Sequence, residues 1–145
     1  MILVAVVDDR MGLCFHGRRQ SQDKRLREKI LTLFAGKTLW MNGYSAKQFA
    51  KDAGADAICV AEDFLTQAGK GEICFVENIS AASAAERVEQ VYLFHWNRAY
   101  PGDLFFDLPL EDGWELTLEE EFSGSSHETI TLEVYERNRK TPPLT

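Results

Sequence analysis

"WELTLEEEFSGSSHETITLEVYER", residues 114–137, is the stretch that decides the fold. Its halves, 114–122 and 129–137, alternate apolar and polar residues around the turn-forming "SGSSHE", the pattern of a half-exposed antiparallel strand pair. Upstream the texture differs. "ILVAVV" (2–7) is a continuous β-branched and aliphatic run, which suits a central strand buried on both faces.

Between these ends, strand and helix signals take turns. Ser21 is a plausible N-cap for a helix over 22–35 with Asp23 in its first turn. Leu26, Ile30, Leu33 and Phe34 would form its apolar stripe and Gly36 its end. "KTLWM" (37–41) reads as a strand, and "SAKQ" (45–48) as a capping box opening a short helix that Gly54 closes. "ADAICVA" (55–61), "EICFV" (72–76) and "RVEQVYLFHW" (87–96) are expected strands. A helical turn in "EDFLTQAG" and a brief helix capped by "SAAE" (83–86) separate them. The expectation is a mixed α/β domain over 1–138 whose mostly parallel sheet carries a C-terminal antiparallel hairpin. The tail, 139–145, with two prolines and no apolar pattern, is expected to fray.

A chain of 145 residues is one domain by size. Its longest apolar runs fall far short of a membrane span, and Met1 leads straight into the first strand with no basic leader. Three dispersed cysteines without CxxC spacing fit a reducing cytoplasm. Cys59 and Cys74 lie in strand-like runs, and Cys14, placed in a loop, is the more reactive candidate. The three histidines are isolated, so no metal-ligand spacing exists.

A net charge of −7 argues against nucleic acid as partner. That charge is segregated: residues 10–29 carry seven Lys/Arg, while 103–128 carry nine carboxylates and none. Two solvated faces of opposite sign, attracting each other, explain this simply. Trp40, Trp96 and Trp114 read as core or sheet-face residues. Cys14, Ser125 and Ser126 are formal nucleophiles with His127 adjacent, but "SGSSHE" is ordinary hairpin-loop composition.

The order of elements resembles dihydrofolate reductase over nearly the whole chain. "VVDDRMG" (6–12) is similar to that family's first strand and the start of its mobile loop. "KTLWMNGYSAKQF" (37–49) is similar to its second strand and the following helix. "VYLFHWNRAYPGDLFFD" (91–107) resembles its strand-to-glycine-to-Asp segment, with Gly102 and Asp103 in place, and the closing hairpin resembles its terminal one. The resemblance implies a dihydrofolate-reductase-like three-layer domain with a cleft for a pterin and a reduced nicotinamide cofactor, NADPH.

The site residues implied by that family are altered. Its pterin-facing carboxylate falls near Lys24 counting from Gly12 and at Leu26 counting from Met41, so the segment carries a small insertion. Asp23 is the catalytic candidate beside these positions, though its place is better explained as that of a helix-dipole partner. Phe94 stands at the threonine that backs the carboxylate, and Arg18 and Arg19 where a loop tryptophan is expected. Where the family has a glycine pair near the cofactor pyrophosphate, this chain has Glu77 and Asn78; its helix-start arginine is missing from "MNGYS". "RRQSQD" and "LWMN" also resemble short bacterial proteins labelled ribonuclease Z, whose activity needs a zinc-binding HxHxDH cluster absent here; that label is read as an error.

On that fold, Arg18, Arg19, Gln20 and Ser21 rim the pterin cleft and offer forked donors for a phosphate or carboxylate. Asn42, Tyr44 and Ser45 complete the expected ligand-binding set. The leading expectation is a repurposed domain without ordinary reductase activity, binding an anionic small molecule such as a nucleotide or phosphorylated metabolite. One alternative is an NADPH-dependent reductase of dihydrofolate or a related pterin- or flavin-like ring. Another is a homo-oligomer (a homodimer at simplest) whose basic helix docks the acidic face of a second copy.

Overall fold

The structure, a computed structural model, describes residues 1–138; the tail expected at 139–145 lies outside the described residues. Strand β1 (Ile2–Val7) is the centre of a seven-stranded sheet. It pairs in parallel with β6 (Ile73–Phe75) on one side and β7 (Gln90–His95) on the other. Beyond β6 lie β4 (Leu39–Met41) and β5 (Cys59–Val60), both parallel. Beyond β7, β10 (Ile130–Arg137) and β9 (Trp114–Phe122) run antiparallel and close the other edge. The hairpin thus sits where the sequence places it, with both strand boundaries within a residue of expectation.

Strand periodicity divides the core in two. Leu3, Ala5 and Val7 point to one face, packing with Phe64, Val91 and Leu93. Ile2 and Val4 point to the other, packing with Leu26, Ile30, Phe49, Phe75 and Phe94. Helix α1 (Lys24–Leu33) covers this second face with Leu26 and Ile30, four residues apart and both buried. Helix α2 (Gly43–Phe49) adds Phe49, whose ring meets Phe75 edge-on at 5.7 Å. Helix α3 (Phe64–Gln67) lies over the first face.

Several local expectations need correction. Helix α1 is capped by Asp23, whose carboxylate accepts from Leu26 N at 3.1 Å; Ser21 lies outside it, engaged with His127. Helix α2 is capped by Asn42, and Ser45 donates its hydroxyl to Glu77 instead of serving as the cap. The run 55–61 opens with a 3-10 turn at Ala55–Ala57, leaving only two strand residues. "SAAE" sits in a 3-10 segment, Ala82–Arg87, with no side-chain cap. The loop after β1 holds two short strands, β2 (Gly12–Phe15) and β3 (Arg18–Arg19), which form a small antiparallel sheet with β8 (Leu104–Phe105). Cys14 is consequently buried, and desolvation pushes its thiol pKa up.

The two charge-biased segments meet within the chain, Lys29 Nζ lying 2.6 Å from Glu120 on β9. Among the described residues no helix is long and apolar enough to cross a membrane.

Candidate functional site

The cleft lies beside the C-terminal end of β1, between the small sheet, α1 and α2. Its apolar walls come from Val6, Leu26, Ile30, Phe49, Phe75 and Trp96, and its polar rim from residues 19–23, Arg27, Gln48 and Glu77. The enclosed space is only about 20 Å³, room for about one water. An open groove of about 610 Å³ adjoins it, lined by Phe15, His16, Arg18, Tyr100 and Pro101; Arg19 and Gln20 line both spaces.

The cleft is narrow because the chain's own side chains bridge it. Arg19 Nε and Nη2 donate to Glu77 Oε2 and Oε1 at 2.9 and 3.1 Å, a forked pair. Glu77 also accepts from the Ser45 hydroxyl and from Gln48 Nε2, each at 2.9 Å. Ser45 and Gln48, one helical turn apart on α2, therefore converge on one carboxylate. Arg19 Nη2 reaches the Tyr44 carbonyl at 3.2 Å, its guanidinium lies 4.3 Å from the Tyr44 ring centroid, and its backbone amide donates to the Tyr44 hydroxyl. Asn42 caps α2 through its oxygen and donates its amide to Asn78.

Gln20 is threaded between two glycines. A Cβ at Gly12 would stand 2.8 Å from its Nε2 and one at Gly102 3.0 Å, so neither position admits a side chain without displacing it. Its Nε2 donates to the Pro101 carbonyl, while its Oε1 is buried without a hydrogen-bond partner among the described residues. Arg18 is exposed on the groove wall and has no ion pair among those described.

The inner end of the rim holds a cluster that sequence spacing does not reveal. Asp23 is 2% exposed and accepts the backbone amides of Ser125 and Ser126 at 3.0 and 2.8 Å besides that of Leu26. Burial works to raise its pKa, but these amides and His127 outweigh it and hold the carboxylate well below the ordinary aspartate range. His127 Nδ1 lies 3.1 Å from Asp23 Oδ2. Its Nε2 lies 3.1 Å from the Ser21 hydroxyl and 3.0 Å from that of Tyr100. Trp96 stacks on the imidazole, centroids 4.3 Å apart. Of the expected site residues, the structure thus brings Arg19, Tyr44 and Ser45 together around Glu77, and Ser21 and Asp23 around His127. The places of His127 and Tyr100 in this cluster are hidden in the sequence because nothing local connects them to residues 21–23.

Among the described residues no group of three or more His, Cys, Asp or Glu is placed to hold a metal ion. This architecture is that of dihydrofolate reductase. The chain is similar to the dihydrofolate reductase of Enterococcus faecalis, solved in complex with NADP(H) and RAB-propyl. The TM-score is 0.64 at 15% identity, over 94% of this chain and 95% of that one. No protein-family model and no curated protein sequence matches the chain.

The fold family implies a nicotinamide cofactor, and the groups present do not suit one. Gly43 N, at the start of α2, already donates to Glu62 Oε2 at 2.9 Å, and Ser45 N to Asn42. Two of the amides at the start of α2 are thus occupied by the chain's own oxygens. Glu77, at the place where the resemblance puts the family's glycine pair, adds a buried carboxylate already paired with Arg19.

Proposed function

We propose that this domain keeps the dihydrofolate reductase architecture without ordinary reductase activity and binds an anionic small molecule at the groove beside the cleft. The observation that carries this reading is the Arg19–Glu77 pair: the chain's own carboxylate occupies the forked arginine inside, and the remaining enclosed space is water-sized. Ligand-sized room lies outside, where Arg18 and His16 line the groove. The guanidinium of Arg18 supplies planar donors for a phosphate or carboxylate, and Phe15 and Tyr100 offer flat apolar surface for a ring. A nucleotide or phosphorylated metabolite meets both requirements.

The alternative reading, an NADPH-dependent reductase, needs amides and space that Glu62, Asn42 and Glu77 take up. In the homo-oligomer reading one cation of the basic helix, Lys29, is already paired with Glu120 within the chain.

Tryptophan fluorescence during NADPH titration, with dihydrofolate oxidation followed on the same sample, is the test. No quenching, no turnover, and AMP or pyrophosphate binding weakened about tenfold or more in Arg18→Ala are expected for loss of a charge-assisted contact. Micromolar NADPH binding with turnover would overturn the proposal, as would anion binding indifferent to Arg18.

A further inference from the structure

We propose that Ser21, His127 and Asp23 form a hydrolytic relay that cleaves small carboxylic esters through an acyl-Ser21 intermediate. The inference goes beyond the anion-binding reading and does not depend on it.

The geometry supplies each role in sequence. Asp23 is held ionised by amides from α1 and from the β9–β10 loop, so it faces His127 Nδ1 as an acceptor. That contact favours the tautomer with the proton on Nδ1 and leaves the Nε2 lone pair free. Ser126 Oγ also lies near Nδ1, at 3.2 Å, and bonds Asp23 as well, so it belongs to the same buttress. Ser21 Oγ, 3.1 Å from Nε2, is within reach for proton transfer and is only partly buried.

Tyr100 is the feature a purely structural network does not require. Two hydroxyls, of Ser21 and Tyr100, stand 3.1 and 3.0 Å from one nitrogen that has a single lone pair. Only one can donate to it at a time, and the other has its proton available for another acceptor. When Ser21 donates, Tyr100, which lines the open groove, has an O–H to offer a substrate carbonyl oxygen. Arg19 and Gln20 line both cavity and groove, which places this pair of hydroxyls near their junction.

In the first step Ser21 Oγ bonds the ester carbonyl carbon as its proton passes to His127 Nε2. The carbonyl π pair moves onto oxygen and is met by Tyr100. Collapse breaks the carbon–alkoxide bond, and the alkoxide leaves as the alcohol with the Nε2 proton. Water then repeats the sequence on the acyl-Ser21, releasing the carboxylic acid and restoring the serine. The enclosed cavity beside Ser21, about 20 Å³, holds about one water, so both the acyl and the alcohol portions of the ester lie toward the groove.

The test uses the full chain with p-nitrophenyl acetate and, separately, a fluorophosphonate probe located by peptide mass. Stoichiometric labelling of Ser21 is expected. Ser21→Ala should lose about a hundredfold or more of the ester hydrolysis, and Tyr100→Phe should lower kcat. Cys59→Ser, which removes a partly exposed thiol, should leave the rate unchanged. Asp23 is a positioning residue, and Asp23→Asn should lower kcat with KM unchanged, assayed below its melting temperature. His127→Gln risks unfolding, so the deciding measurements are the probe and Ser21→Ala with its melting temperature retained. Absence of label on Ser21, or wild-type hydrolysis by Ser21→Ala, overturns the proposal.

Discussion

The Glu77 carboxylate lies 2.9 Å from the Arg19 guanidinium, joining the strap after β2 to the strand end at β6 across the mouth of the cleft. The side chains are 20% and 9% exposed, so water screens the pair little. Removing one partner leaves the other charge buried and uncompensated. Glu77→Gln should therefore lower stability by about 3 kcal/mol, seen as a drop in urea midpoint at constant slope. The double replacement Arg19→Met with Glu77→Leu should recover most of that loss. A single variant as stable as the parent would mean the pair does not hold the cleft shut.

The small sheet changes the expected chemistry of the cysteines. Cys14 is buried in β2, where desolvation raises its pKa, and burial pushes Cys74 on β6 up to about 12. Cys59 alone is partly exposed. In the folded protein DTNB should titrate one thiol quickly, and Cys59→Ser should abolish that fast phase, with Cys14 and Cys74 reacting only on unfolding. Fast reaction of two thiols would show that the β2 segment opens readily.

Gly124 is the tightest point of the hairpin loop. A Cβ there would collide with Asp23 Oδ2 and would lie 2.8 Å from the His127 carbonyl oxygen and 2.9 Å from Ile130 Cδ1. Ile130 Cδ1 can turn aside, but the Asp23 oxygen and the His127 carbonyl cannot retreat without breaking the Asp23 network. Gly124→Ala should destabilise by about 2–4 kcal/mol, read from thermal melts, through overpacking and lost buried hydrogen bonds. A melting temperature within a degree of the parent would show that the loop adjusts.

How much of this was legible depends on how local the cause is. The burial of β1 follows from "ILVAVV" because a strand covered on both faces has no polar position to mark it. The hairpin boundaries follow from alternation, which is set residue by residue. Strands β2 and β3 were invisible because four- and two-residue strands exist only through pairing, β2 with β8 some ninety positions away. Sequence puts the cap of α1 two residues early, at Ser21, since both Ser21 and Asp23 suit an N-cap; the choice is made by a hairpin loop 104 positions from Asp23. Asp23 itself, a helix-terminus carboxylate by sequence, gains its relation to His127 from the same loop.

That loop makes Asp23 the sharpest handle on the acid limb of stability. Its carboxyl is held below the ordinary aspartate value of about 3.9, despite burial, by the amides of Ser125, Ser126 and Leu26 and by His127. Asp8 is shifted in the same direction: burial opposes ionisation there too, and the amides of Tyr100, Gly12 and Arg10 prevail. With folded values below unfolded ones, the stabilisation is fully present above about pH 4. As pH falls further the unfolded chain takes up protons first, and the stabilisation is lost on the way down through the folded values. Urea midpoints should therefore hold between about pH 5 and 7 as far as these two groups decide, and drop steeply below about pH 4. Asp23→Asn should be less stable than the parent at pH 7, yet the gap should narrow as pH approaches about 2, because the parent is then losing the charge that the variant never had. A gap constant from about pH 7 to about pH 2.5 would mean that Asp23 is no more easily ionised in the folded chain than in the unfolded one.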